Sequence, residues 1–254
     1  MKRSKNAIQL GPSILAVLVS IAAAHLLPAA ALGDSNFPAQ AAANSELERL
    51  DRATRAFREI MDAPDQGIPR DLIDRSVCVL VIPSMKKGGF IIGGRYGKGV
   101  VSCRKSQGAG PWGPPAMVTL EGGSFGLQIG AAAVDVVMLV MNPSGIDRLL
   151  EDKFTLGGDV SAAAGPVGRS ASAETDAQMN AKILTYSRSQ GVFAGLELKG
   201  AVLKQDRDGN HNLYGREVEA REVLLNGNLE TPAAARPFVD ELAKVSPTLS
   251  KKPL

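Results

Sequence analysis

The chain has 254 residues, 44% of them hydrophobic, which is enough to bury one substantial core and favours a single domain. Its formal net charge is +3, but three basic residues lie in a leader-like N-terminus, and the 26 Lys and Arg that remain equal the 26 Asp and Glu. The balance excludes a whole-molecule field that would hold nucleic acid, so an acidic partner must bind a local patch.

Residues 1–33 have the pattern of a secretory signal peptide. A basic start is followed by a largely apolar run at residues 14–27 and by small residues suited to cleavage at residues 29–33. An uncleaved membrane anchor is the alternative, although His25 and Pro28 interrupt the apolar run. We therefore expect an exported protein, periplasmic or secreted, that is peripheral to a membrane.

Residues 34–44 are rich in Ala, Asn and Gln and are predicted to be a flexible linker, with one domain at residues 45–250. Ser45 has the character of a helix N-cap, and apolar residues recur after it at helical spacing. The opposite face carries Arg49, Arg52, Arg55 and Arg58. We favour an amphipathic helix that packs on the domain's own sheet, with the arginines paired to Glu48, Asp51, Glu59 and Asp62; the alternative is a helix that lies on anionic lipid.

A short helix at residues 70–75 leads into a predicted strand at residues 77–82. A turn at residues 86–89, a strand beginning at residues 90–92, a glycine-rich loop at residues 93–99 and a strand at residues 100–104 follow. The loop with Lys98 suggests phosphate binding, but its spacing and the β-like run after it depart from a P-loop. A nucleotide site is not expected.

Cys78 and Cys103 are the only cysteines, and both lie in β-like runs. If those strands are neighbours in an oxidising compartment, the two thiols can form a disulfide. Two buried free thiols are the alternative, because adjacency does not follow from spacing. Without a CxxC spacing they form neither a redox pair nor a metal site.

Glycine-bent apolar runs dominate the remainder of the domain. Residues 116–141 predict three strands, and residues 183–203 predict a hairpin whose second strand is long and bent. Two helices at residues 217–225 and 231–245 close the chain. The predicted fold class is α+β: a curved, glycine-rich antiparallel sheet or partly closed barrel, with an N-terminal amphipathic helix and C-terminal helices packed against it.

Two patterns suggest other chemistry. Residues 122–126 match the G-x-S-x-G nucleophile elbow around Ser124, with Asp159 and His211 downstream, so a serine hydrolase is an alternative function. The elbow requires a helix after the serine, and the pattern after Gly126 is β-like. Asp206, Asp208 and Asn210 are spaced like the start of a calcium loop, but Gly209 comes one position early. We expect no metal, no cofactor and no catalysis.

Several ordered motifs resemble those of the SYLF domain family over residues 46–245. They are Val81-Ile82-Pro83, the glycine-rich residues 93–99, Trp112, residues 122–130, residues 164–169, Tyr186-Ser187-Arg188-Ser189, residues 191–195 and Gly200-Ala201. Eukaryotic SYLF domains bind phosphoinositide membranes and, in some members, actin. The resemblance therefore implies a non-enzymatic domain that binds membrane lipid, here in a bacterial cell envelope. A protein-interaction or structural module of the envelope, with an unknown protein partner, is the alternative.

The lipid-binding residues are our own hypothesis, based on basic side chains near one predicted turn and its glycine-rich neighbour. The candidates are Lys86, Lys87, Arg95, Lys98, Arg104 and Lys105. If they share one face, they would attach the domain weakly and in a salt-sensitive way to anionic phospholipid. The alternative is that they are ordinary solvated residues.

Overall fold

A computed structural model describes residues 37–63, 67–142, 153–166, 180–189, 192–195, 198–225 and 229–248. The signal peptide predicted at residues 1–33 lies outside this part of the chain. The helices are α1 (Phe37–Met61), α2 (Arg70–Arg75), α3 (Arg207–Tyr214), α4 (Ala220–Leu225) and α5 (Arg236–Val245). The strands are β1 (Cys78–Cys103), β2 (Ala116–Val140), β3 (Lys153–Thr155), β4 (Ala162–Ala164), β5 (Ile183–Ser189), β6 (Val192–Gly195) and β7 (Val202–Gln205).

One sheet organises the domain. Strands β1 and β2 pair antiparallel from Cys78 opposite Val140 to Val101 opposite Ala116. The other edge of β2 pairs with β7 near its start and with β5 near its end. Strand β3 pairs antiparallel with β7, β6 antiparallel with β5, and β4 parallel with β5. The predicted α+β class with a curved, mainly antiparallel sheet is confirmed.

The predicted divisions within β1 and β2 are wrong. Each is one long strand, and irregularities in their pairing at residues 82–85 and 89–91 replace the predicted turn and loop. Glycine weakens a strand but can pair within one, so glycine pairs need not end it. The long bent strand predicted after residue 191 is also wrong, because β6 and β7 are separate strands with different partners.

The sheet curls until the two ends of β1 meet. Glycines allow this close approach, since a Cβ on Gly99 would lie 2.3 Å from the carbonyl oxygen of Val81. The Arg104 amide donates to the Val77 carbonyl at 2.8 Å. A disulfide joins Cys78 and Cys103 in the same place. The curl makes neighbours of two cysteines that are 25 residues apart, and the bond between them closes it.

Removing the disulfide should lower the free energy of unfolding by about 2–3 kcal/mol, because the unfolded chain loses a cross-link around a loop of this length. We expect the Cys78→Ala, Cys103→Ala double variant to melt at a lower temperature than the oxidised protein. Reductant should lower the melting temperature of the original protein and leave that of the variant unchanged. Thiol titration of the denatured, unreduced protein should detect no free thiol; two free thiols would contradict the pairing.

Two hydrophobic clusters lie on the two faces of the sheet. One fills the inside of the curl and includes Leu80, Val118, Leu120, Phe154 and Leu203. The other lies between the sheet and the helices α1 and α5, and it includes Phe57, Val81, Val100, Met117 and Phe238. None of the described helices is long and apolar enough to cross a bilayer. The layering positions α1 directly over the outer face of β1 and β2.

Helix α1 uses its apolar face for the sheet, as favoured from sequence. Arg52 and Arg55 form ion pairs with Glu48 and Asp51, at 3.5 and 2.7 Å. Arg58 instead reaches Glu241 of α5 at 2.8 Å, an ion pair between helices that the sequence did not predict. The helix also begins at Phe37, so residues 37–44 form its first turns and the flexible linker predicted there is wrong.

Candidate functional site

The structure separates the six predicted basic residues instead of placing them on one face. Arg104 is buried, with its guanidinium 4.2 Å from the centre of the Trp112 ring. Its Nη2 donates to the carbonyl oxygen of Ser246 at 3.0 Å, and burial lowers its pKa. The role predicted for Arg104 at a lipid surface is wrong, because this side chain ties the end of β1 to the end of α5. Lys105 is half-buried in the turn that follows.

Lys98 lies in a different location, beside the N-terminal half of α1. Its Nζ lies 2.9 Å from Asp206 Oδ2, an ion pair between residues far apart in the sequence. The lysine is 43% exposed at its side chain, whereas Asp206 is 8% exposed. The sequence suggested a free cation near a turn; the structure places Lys98 on a continuous strand with a buried carboxylate as its partner.

Lys86 and Lys87 are adjacent near the middle of β1, whereas Arg95 lies further along the same strand, on the order of 25 Å away. Lys86 lies opposite Ala133 and Lys87 opposite Ala132, while Arg95 lies opposite Gly122. Lys86 is exposed and Lys87 is half-buried, and neither forms an ion pair with a carboxylate in the described ranges. Between residues 86 and 95 the only described strand that pairs with β1 is β2. We call this part of β1 and its partners on β2, residues 122–133, the ribbon.

The sequence missed a buried charge cluster that joins α1, α3 and β1. Arg49 contacts Asp206 Oδ2 at 2.9 Å and Glu46 Oε2 at 2.9 Å, and Lys98 completes the cluster. Arg49 has 7% of its side chain exposed and Glu46 has 4%. The spacing of Glu46 and Arg49 on a helix was visible in the sequence, but their long-range partner was not.

Asp206 is the centre of this cluster. Its Oδ1 accepts a hydrogen bond from the Gly209 amide at 3.2 Å and so caps the start of α3. Burial raises the pKa of Asp206, but the hydrogen bond from Lys98, the charge of Arg49 and the Gly209 amide outweigh it, so the pKa lies below its ordinary value. The residues whose spacing resembles the start of a calcium loop, Asp206, Asp208 and Asn210, are thus the cap and first turn of a helix.

The structure does not give Ser124 the backbone setting that a nucleophile elbow requires. The backbone of Ser124 lies within β2, opposite Gly93, and not at a strand-to-helix corner. Asp159 accepts a hydrogen bond from the Thr155 amide at 2.7 Å, and His211 Nδ1 lies 3.1 Å from Glu217 Oε1. Asp159 and His211 therefore each have a local partner. No group of side chains in the described ranges could hold a metal ion.

Comparison with known proteins adds an independent observation. Residues 121–245 match the model of the family described as "Ysc84: Las17-binding protein actin regulator". The chain belongs to the Ysc84/SYLF family. The matched segment of this SYLF domain runs from β2 to the end of α5, so it includes β5, the hairpin strand β6, and Asp206. The resemblance stated from sequence is confirmed.

Relatives of this SYLF domain occur in fungi and mammals. "LAS seventeen-binding protein 3" of Saccharomyces cerevisiae is 31% identical over 80% of this chain and 44% of its own length. "SH3 domain-containing protein PJ696.02" of Schizosaccharomyces pombe is 38% identical over 63% of this chain and 37% of its own length. "SH3 domain-containing YSC84-like protein 1" of Homo sapiens is 29% identical over 82% and 60%. The chain thus spans about two fifths of the length of the fungal relatives.

Proposed function

We propose that this SYLF domain is a non-enzymatic module that binds anionic membrane lipid through the ribbon, in the envelope of an exporting cell. The observation that carries the proposal is the placement of Lys86 and Lys87 next to each other on β1, without an acidic partner among the described residues. Their neighbours on β2, Ala132 and Ala133, are exposed and small. A flat surface can therefore approach both ammonium groups.

The direction of these side chains suits an approach by the edge of the ribbon. Successive residues of a strand point to opposite faces, so Lys86 and Lys87 flank the edge of β1 on its two sides. A bilayer that meets this edge meets both charges, each contributing about 1 kcal/mol near an anionic surface. Attachment of this kind is weak, reversible and sensitive to salt.

Export is part of the same proposal, and the disulfide supports it. Disulfides persist in oxidising compartments and are rare in the cytosol of mesophiles. The leader-like residues 1–33 support the same location. N-terminal sequencing of the protein recovered from the cell envelope tests cleavage of the leader.

Reversing the charges on the ribbon should weaken lipid binding. We expect the Lys86→Glu, Lys87→Glu variant to bind anionic vesicles at least about thirtyfold more weakly than the original protein in a sedimentation assay, because two attractions of about 1 kcal/mol each are replaced by repulsions. Lys244→Glu is the matched control, since that lysine is 75% exposed on the distant helix α5. Vesicle binding equal in the double variant and the original protein would remove the ribbon as the lipid site.

A further inference from the structure

A row of three lysines crosses four strands on the outer face of the sheet, next to α1. Lys98 lies opposite Thr119, Thr119 opposite Lys204, and Lys204 opposite Lys153. Directly opposed residues of antiparallel strands point to the same face, so all four side chains share one side. We call Lys98, Lys204 and Lys153 the lysine row.

Burial supports this assignment of faces. Val118 and Leu120, the neighbours of Thr119, belong to the cluster inside the curl, whereas Met117 belongs to the cluster under α1. Thr119 is buried between its two lysine neighbours, while Lys98 and Lys204 are 43% and 41% exposed and Lys153 is exposed. The three lysines therefore lie on the outer face of the sheet, beside the part that α1 covers, and are open to solvent.

The carboxylates beside the row do not occupy it fully. Lys204 contacts Glu121 at 2.8 Å, and Lys98 contacts Asp206, which keeps Arg49 and the Gly209 amide as partners if the lysine turns away. Lys153 forms no ion pair with a described carboxylate. Tyr96, two residues before Lys98 on the same face, is 47% exposed and adds an aromatic surface. Lys98 can thus turn to an external anion without leaving Asp206 unpaired, and Lys153 can meet such an anion directly.

The spacing indicates what kind of anion fits. Neighbouring strands are about 4.8 Å apart, so the row is a line about 15 Å long. Lys153 lies at one end, Lys204 is about 5 Å from it, and Lys98 lies at the other end, about 10 Å beyond Lys204. Alternate side chains of an extended peptide lie about 7 Å apart, and acidic ones can meet several of these cations. A flat anionic bilayer would also press against Glu121, which is 43% exposed. A discrete polyanion can align so that it avoids this carboxylate.

We propose that the lysine row is a docking surface for an acidic, extended polypeptide segment of a partner protein. The surface is separate from the ribbon, and so the proposal goes beyond lipid binding. Attachment through it is electrostatic, fast to form and weakened by salt.

Fluorescence anisotropy with a labelled peptide of alternating glutamate and serine tests the proposal. We expect the Lys153→Gln, Lys204→Gln variant to bind this peptide about tenfold more weakly, because two of the three cations are removed. Binding should return in the Lys153→Arg, Lys204→Arg variant and stay unchanged in Lys244→Gln. A peptide of alternating lysine and serine should not bind. Thermal melts of each variant show that it is folded.

Several outcomes would overturn the docking surface. They are no binding of the acidic peptide by the original protein, equal binding by the glutamine variant, or equal binding of the basic peptide. Loss of vesicle binding in the glutamine variant would assign the row to membrane lipid and also refute it. Because the Lys86→Glu, Lys87→Glu variant should keep peptide binding and lose vesicle binding, failure of the lipid proposal and failure of this one give different results.

Discussion

Replacing Asp206 by alanine should lower the free energy of unfolding by about 3–5 kcal/mol, the loss typical of breaking a buried ion pair. The substitution leaves Arg49, 7% exposed, with Glu46 as its remaining partner in the cluster. It also removes the acceptor for the Gly209 amide at the start of α3. Chemical denaturation of the two proteins measures the difference.

Two further variants separate the contributions of Asp206. Asp206→Asn keeps a good capping residue and loses only the charge, so it should be destabilised less than the alanine variant. Lys98→Ala should cost less than about 1 kcal/mol, because Lys98 is half-exposed and Asp206 retains Arg49. Equal stability of the alanine variant and the original protein would show that the buried cluster does not hold α1 and α3 in place.

The same carboxylate makes stability depend on acid. The pKa of Asp206 is lower in the folded protein than its ordinary value of 3.8. The folded state therefore binds fewer protons than the unfolded chain around that pH, and the stability from this group is present above pH 3.8 and lost as pH falls through the folded pKa. The difference in stability between the original protein and Asp206→Asn should accordingly shrink at acidic pH.

The fold was predictable because its main signals are local. Apolar runs with glycines predicted a curved sheet, and the apolar stripe of α1 predicted its packing. Where β1 and β2 end could not be predicted from local sequence. Whether a glycine pair ends a strand or lets it curl depends on the distant backbone that it approaches, as Gly99 approaches Val81.

The predicted patch failed for a similar reason. Basic residues close in sequence looked alike, but Arg104 packs on Trp112 and Ser246, and Lys98 on Asp206, through contacts that span many residues. The lysine row is the opposite case. Lys98, Lys153 and Lys204 are far apart in sequence, and only strand register brings them together. Charge can be counted from sequence, but a shared face requires the register.

Replacing Gly99 by alanine should destabilise the domain by about 3–4 kcal/mol, since a new Cβ would lie 2.3 Å from the Val81 carbonyl oxygen and 2.7 Å from Ile82 Cγ1. Backbone at that distance cannot give way without opening the curl beside the disulfide. For a domain of this size the melting temperature should fall by about 6–16 °C. Gly123→Ala is the control, because a Cβ there meets nothing within 4 Å, and its melting temperature should change little. If the two variants melt together, close backbone approach is not what allows the two ends of β1 to meet.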